Sequence, residues 1–204
     1  LRLGTGVNIL PQTNPLLFAK QAASIDVLSG GRLTLGLGIG WLKEEYAAMG
    51  TPFERRDARF DDYVAAMKKV WSGDVVEHES DFLSWHGFKS YPIPAQRPHP
   101  PILIGGTTRR SLERVVQAAD GWYAPSDSLE DLERQLTELR TQCEQAGRDF
   151  DSLDITINWR ASKYPDALPA YEELGVSRAV ALIGGMGERD PLRAIDRVAR
   201  AAGL

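Results

Sequence analysis

The sequence predicts an α/β fold with a parallel sheet, a (β/α)8 TIM-type barrel in which six strand–helix units are present and the first two are lacking. Two observations predict it. Apolar strand-like and helix-like segments alternate along the whole chain. The units recur at roughly 34 residues, so eight would need about 270, near the about 250 of a typical barrel. Six parallel strands alone also fit an open doubly wound sheet, and a barrel short of two strands leaves two edges unpaired.

The elements follow in order. Leu1 to Val7 reads as the first strand, and Asn14 caps a helix whose first position, Pro15, needs no N–H. Leu16, Ala19, Ala23 and Val27 keep helical spacing, and Gly30–Gly31 ends that helix. Arg32 to Ile39 is the second strand, and Phe60, Tyr63, Val64, Met67 and Trp71 mark the second helix. Ile102 to Ile104 is the third strand, and Leu112, Val115, Val116 and Ala119 give the third helix. Gly121 to Ala124 is the fourth strand. Its helix is the clearest in the chain, with Leu129, Leu132, Leu136, Leu139 and Cys143 stepping by three and four behind Ser128 and Asp131. Leu153 to Trp159, a helix over 166–174, Ala179 to Ile183, and a helix opened by Asp190 and Pro191 complete the series.

The one long connection, residues 72–101, reads as a β-hairpin flap followed by a proline-stiffened return, inserted in a single domain over 1–204. The chain starts at Leu1 within a strand-like segment, which reads as a gene product lacking its first part. Such a piece made alone is expected to aggregate or to need a partner that fills the gap.

Composition narrows the function. The 204 residues carry a net charge of −4, without the basic stripe of a nucleic-acid binder. Arg55 to Arg59 alternates with acids and reads as the solvated start of a helix. No run approaches the roughly 18 apolar residues of a membrane span. Cys143, the single cysteine, excludes an internal disulfide framework and makes a reducing cytoplasm the default. It lies on an apolar helix stripe and reads as core. His78, His86 and His99 lack metal-ligand spacing, so no metal is expected. Asp26 and Arg32, at a helix end, read as a structural pair.

Glycines carry the candidate site. In Leu35-Gly36-Leu37-Gly38-Ile39-Gly40-Trp41 the three glycines share one strand face and the aliphatic residues the other. A strand glycine marks close approach of a ligand or of another backbone. The glycine face therefore predicts either a hollow for a flat ring or tight packing around a large neighbour. Gly4 and Gly6 alternate in the same way in the first strand, with Asn8 at its end. Ile104-Gly105-Gly106-Thr107-Thr108 joins a strand to a helix start, where free N–H groups make an anion site, unless a threonine merely caps the helix. Arg109 and Arg110 could add charge there. Gly184–Gly185 is a weaker second candidate.

At these residues the chain resembles a known family. Gly4-Thr5-Gly6-Val7, Asn14-Pro15, Leu28-Ser29-Gly30-Gly31-Arg32, Gly36 to Trp41, Arg97-Pro98-His99-Pro100-Pro101-Ile102, Gly105-Gly106 and Asp120-Gly121-Trp122 occur in this order in the luciferase-like monooxygenase superfamily. As a set they look most like its coenzyme F420-dependent oxidoreductase branch. The resemblance implies a (β/α)8 barrel whose third strand matches the first strand here. It implies a non-proline cis peptide at Gly6–Val7 backing the deazaflavin ring, with Gly6, Val7, Asn8 and Gly40 around the cofactor. It implies phosphate binding at Gly105 and Gly106 with Thr107.

The branch that oxidises sugar phosphates carries a catalytic glutamate where this chain has Trp41, so Trp41 is read as a wall of the substrate pocket, with Ser126. No catalytic residue is assigned. The function implied is hydride transfer between coenzyme F420 and a small organic substrate. Alternatives are an FMN-dependent monooxygenase of the same superfamily, and a non-catalytic flavin-binding protein or inactive fragment. Family members are often dimers, so a homodimer is the assembly to test.

Overall fold

In a computed structural model, residues 1–126, 128–183 and 190–203 are described. The chain forms two compact units, Leu1–Gly105 and Gly106–Leu204.

The first unit opens with a broken strand. β1 (Leu3–Gly4) and β2 (Asn8–Ile9) both run parallel to β3 (Leu33–Gly38), in the registers Leu3↔Leu33 and Asn8↔Leu37. The predicted continuous strand over Leu1–Val7 is thus divided, because residues 5–7 leave the ladder. α1 (Pro15–Ser29) starts where Asn14 Oδ1 accepts from the N–H groups of Leu16 and Leu17, at 3.0 and 3.1 Å. It ends at Gly30, whose φ of 65° gives the left-handed turn that lets Gly31 N–H reach the Asp26 carbonyl. Its exposed side mixes Lys20 and Gln21 with apolar residues. Leu28 remains exposed, and Leu17 and Ile25 are exposed where they line a groove of about 550 Å³ with Thr5 and Leu35.

α2 (Lys43–Ala48), a short helix without a clear periodic signal, carries the fully buried Tyr46. α3 (Arg56–Trp71) buries Phe60, Val64, Met67 and Trp71, and Trp71 Nε1 donates to the Ala19 carbonyl of α1 at 2.9 Å. Arg59 departs from the expected solvated face. It is buried and donates to the Pro52 carbonyl at 2.7 Å, so the guanidinium serves the loop before the helix.

The 72–101 connection holds an antiparallel hairpin, β4 (Val76–Glu79) with β5 (Ser84–Phe88). The hairpin is latched to α3 through Asp62, which meets His78 Nε2 at 2.8 Å and accepts from Ser80 Oγ at 2.9 Å. His78 stacks on Trp85, with ring centroids 4.7 Å apart. The return segment contains cis bonds at Tyr91–Pro92 and Arg97–Pro98. It is held by Asp26, which is fully buried and accepts from Gln96 N at 2.9 Å and Gln96 Nε2 at 2.7 Å. Asp26 therefore does not pair with Arg32, which instead donates to the Ser29 and Leu1 carbonyls. β6 (Ile102–Gly105) then pairs parallel with β3.

In the second unit α4 (Arg109–Ala118), β7 (Gly121–Ala124), α5 (Leu129–Ala146), β8 (Asp154–Trp159), α6 (Leu168–Glu173), β9 (Arg178–Ala181) and α7 (Pro191–Ala201) follow the predicted alternation. β7 and β9 flank β8 in parallel pairing. Leu132, Leu136, Leu139 and Cys143 form the buried stripe of α5, as their spacing predicts. Arg148 clasps the end of α4, donating to the Val115, Val116 and Ala119 carbonyls at 3.0, 2.7 and 2.6 Å. The Val115 carbonyl also accepts from the Ala119 N–H at 3.2 Å, and carbonyls at a helix C-terminus lack the full set of intrahelical partners.

Arg148→Met should therefore cost about 2–3 kcal/mol, the worth of hydrogen bonds to a charged donor less the retained packing of the stem, read from urea denaturation. Burial raises the Cys143 thiol and the Tyr46, Tyr123 and Tyr171 phenols above their ordinary values. The folded chain then holds these protons more tightly than the unfolded chain. Their contribution is complete below about pH 8 and declines as pH rises through the unfolded values. Urea midpoints should begin to fall above about pH 8 as the Cys143 contribution is lost and fall further above about pH 10 as those of the tyrosines are; a flat profile across both ranges would contradict this.

Candidate functional site

The Gly6–Val7 peptide is cis. Thr5 and Val7 turn into the glycine face of β3. Thr5 N–H donates to the Thr34 carbonyl at 3.3 Å and Thr5 Oγ1 to the Gly36 carbonyl at 2.8 Å. A Cβ on Gly36 would lie 2.0 Å from the Thr5 carbonyl oxygen, and one on Gly38 would lie 2.7 Å from Val7 Cγ2. A Cβ on Gly105 would lie 3.2 Å from Val7 Cγ1. The glycine face is thus filled by the chain's own backbone and by Val7, so of the two predicted readings it is tight packing that occupies Gly36 and Gly38. The isopropyl group of Val7 is wedged against this floor on one side, and the residue as a whole is 37% exposed.

Asn8 follows on β2, half-buried and in register with Leu37. Gly40 is held at φ 78°, and a Cβ there would lie 2.8 Å from Ile9 Cγ2, so this glycine admits Ile9. Tyr46 closes the other side and donates to the Ile39 carbonyl. Trp41 is 82% exposed.

At the start of the second unit, Gly106 has φ 126° and sits against Ser111, whose Oγ would lie 2.8 Å from an added Cβ. Its carbonyl accepts from Trp122 Nε1 at 2.8 Å. Thr108 is the residue that caps α4, with Oγ1 accepting from Ser111 N at 3.2 Å, and this leaves the exposed Thr107 outside the cap. Thr107 lines a polar cleft of about 520 Å³ with Arg109, Arg134, Gln135 and Glu138. Arg110 and Arg109 both lean on Glu113, and their hydrogen bonds hold its carboxyl below the usual range. Ser126 donates to Gln135 Oε1 of α5 at 2.7 Å, which ties it to the helix. Gly184–Gly185 lies outside the described residues.

Sequence reasoning missed one polar pair: Tyr123 OH donates to Asn158 Oδ1 at 2.8 Å. The signal was present in Asp154-Ile155-Thr156-Ile157-Asn158-Trp159, where polar and apolar residues alternate.

The luciferase-like monooxygenase family matches residues 1–201. The chain belongs to the luciferase-like monooxygenase family. An uncharacterized protein of Mycobacterium tuberculosis is 30% identical over 190 residues, which cover 93% of this chain and 65% of that protein. An FMNH2-dependent dimethylsulfone monooxygenase of Pseudomonas putida is 31% identical over 148 residues, 71% of this chain and 40% of that one. The chain thus spans less than two thirds of the length of these relatives. The coenzyme F420-dependent tetrahydromethanopterin reductase of Methanopyrus kandleri shares its fold, with a TM-score of 0.69 at 20% identity over 87% of this chain and 60% of that one. The fold class is accordingly α/β of the (β/α)8-barrel type, as the sequence predicts.

Gly36→Ala must displace the Thr5 carbonyl and should cost about 1–3 kcal/mol or more, whereas Gly4→Ala, with its nearest contact at 3.5 Å, should cost well under that. Equal melting temperatures for the two variants would refute the seating of Thr5 described above.

Proposed function

We propose that the chain is the cofactor-binding part of an oxidoreductase that moves a hydride between coenzyme F420 and a small organic substrate. The observation that carries this reading is Val7, seated on Gly36, Gly38 and Gly105 and partly exposed. An apolar, rigidly backed surface suits one face of a planar tricycle. This fits a deazaflavin or a flavin equally. The cofactor, when bound, supplies the redox chemistry.

The chain's residues then bind and orient. Gly6, Val7 and Asn8 serve the ring, and Gly40 lets Ile9 pack beside them. Gly105 and Gly106, with Thr107, serve a phosphate through backbone N–H groups at the start of α4. Trp41 and Ser126 belong to the substrate side. F420 is preferred because the ordered strings from Gly4 to Trp122 look most like that branch.

A second reading, an FMN-dependent monooxygenase, is favoured by the Pseudomonas putida relative. Fluorescence titration of the intact protein with F420 and with FMN separates the two. Saturable F420 binding tighter than FMN binding is expected. Tight FMN binding without F420 binding would transfer the assignment to the second reading, and binding of neither would end both.

A further inference from the structure

The polar cleft of the second unit is formed by α4 and α5 with Thr107, and every residue that lines it falls between Thr107 and Thr141. Its volume of about 520 Å³ is that of a small-molecule site. The walls are mostly polar.

Gln135 marks the cleft as more than a gap between helices. Glutamine is mostly exposed in folded chains, yet Gln135 is only 6% exposed. Ser126 Oγ donates to its Oε1 at 2.7 Å, which fixes the amide. Its Nε2 has no hydrogen-bond partner among the described residues, and the residue lines the cleft. A buried amide donor calls for an acceptor, and the cleft is where one can be offered.

Two arginines line the same cleft. Arg109 leans on Glu113 at 3.4 Å and Arg134 on Asp131 at 2.8 Å, and their side chains are 75% and 70% exposed. Exposed pairs of this kind are worth little, so each guanidinium can turn to another anion at small cost. The carboxylate on the wall is Glu138, and Gln142 Nε2 donates to its Oε1 at 2.8 Å. The lining thus sets two cations and a buried neutral donor against one anion.

Thr107 belongs both to this cleft and to the phosphate site proposed above. A cofactor whose phosphate is held there has the cleft beside that phosphate. FMN ends at its phosphate. Coenzyme F420 continues past it, through a lactyl phosphodiester, into γ-linked glutamates, each of which adds a carboxylate and an amide.

We propose that the cleft is the subsite for this acidic tail, with Arg109 and Arg134 on its carboxylates and Gln135 Nε2 on one of its carbonyl oxygens. This rests on the function proposed above. The guanidinium fork matches a planar carboxylate, and a neutral amide donor suits a neutral carbonyl. These residues choose between cofactors with and without a tail and take no part in the redox step.

Three ligands separate the tail from the rest of the cofactor: F420 with its glutamates, the analogue that stops at the phospholactate, and FMN. Each is titrated by fluorescence into the intact protein and into three variants, with melting of the ligand-free proteins recorded alongside. The double variant Arg109→Gln/Arg134→Gln removes the cations. Gln135→Glu keeps an acceptor for Ser126 and removes the donor. Arg193→Gln removes an exposed arginine of α7 outside the cleft.

We expect the unmodified protein and Arg193→Gln to bind F420 about tenfold tighter than the analogue. The double variant should bind the two alike, and Gln135→Glu should lose about threefold or more of the preference, with affinity for the analogue retained in both. If the unmodified protein binds F420 and the analogue equally, or either cleft variant folds and keeps the full preference, the cleft does not hold the tail and the proposal is wrong. That result leaves the proposed function standing. A protein that binds FMN alone, or no cofactor, removes both.

Discussion

Between Gly4 and Asn8 the backbone leaves the sheet ladder and drives the Thr5 carbonyl and the Val7 side chain into the space that β3 leaves vacant by carrying glycine at 36 and 38. The fit leaves no room for a methyl group, since a side chain at Gly36 would stand 2.0 Å from the Thr5 oxygen. Everything proposed for this unit depends on that interlock. It fixes where Val7 is presented, it starts β2 in register with Leu37, and it brings Asn8 to the end of the strand. The cis Gly6–Val7 step belongs to the same construction: glycine on one side of the bond, and a floor of glycines beneath the other.

Segments outside the ladders are held by a different device. A backbone that leaves regular structure must find partners for its N–H and C=O groups, or for the side chains that pull it inward. Asp26 supplies both oxygens to Gln96 and so pins the proline-rich return against α1. Asp62 does the same for the hairpin through His78 and Ser80. Arg148 gathers the last carbonyls of α4. In each case one buried or half-buried charged group organises a connection that has too little apolar surface to pack by itself. Charge-assisted hydrogen bonds are strong enough for that role.

These clasps also mark the limit of what the sequence discloses. Helix stripes, the Asn14 and Ser128 caps, the Gly30 stop and the hairpin are local patterns, readable from neighbours a few residues apart. The partner of Asp26 lies 70 residues away, and nothing near Asp26 names it, so proximity suggested Arg32 instead. Arg59 looked solvated because its neighbours are charged, yet the loop before α3 bends over it. The glycine row was legible as a close approach. Its occupant was not, because period-two glycines say only that something comes near, and here it is the adjacent strand. The family resemblance fixed the Gly6–Val7 bond where local physics could not.

The two units divide the chemistry in a way that bears on the reaction. The residues assigned to the ring in the first unit are glycines, Val7 and Asn8, which offer shape and a short amide but no acid. In the second unit the carboxylate on the polar face of β8, Asp154, is bound by Arg178 and Thr156, so it is held as a structural anion. Tyr123 keeps its proton through burial and directs it to Asn158. Groups of this kind orient, desolvate and donate hydrogen bonds. Such groups suit the role proposed above, in which a bound cofactor would carry the electrons and the protein would orient it.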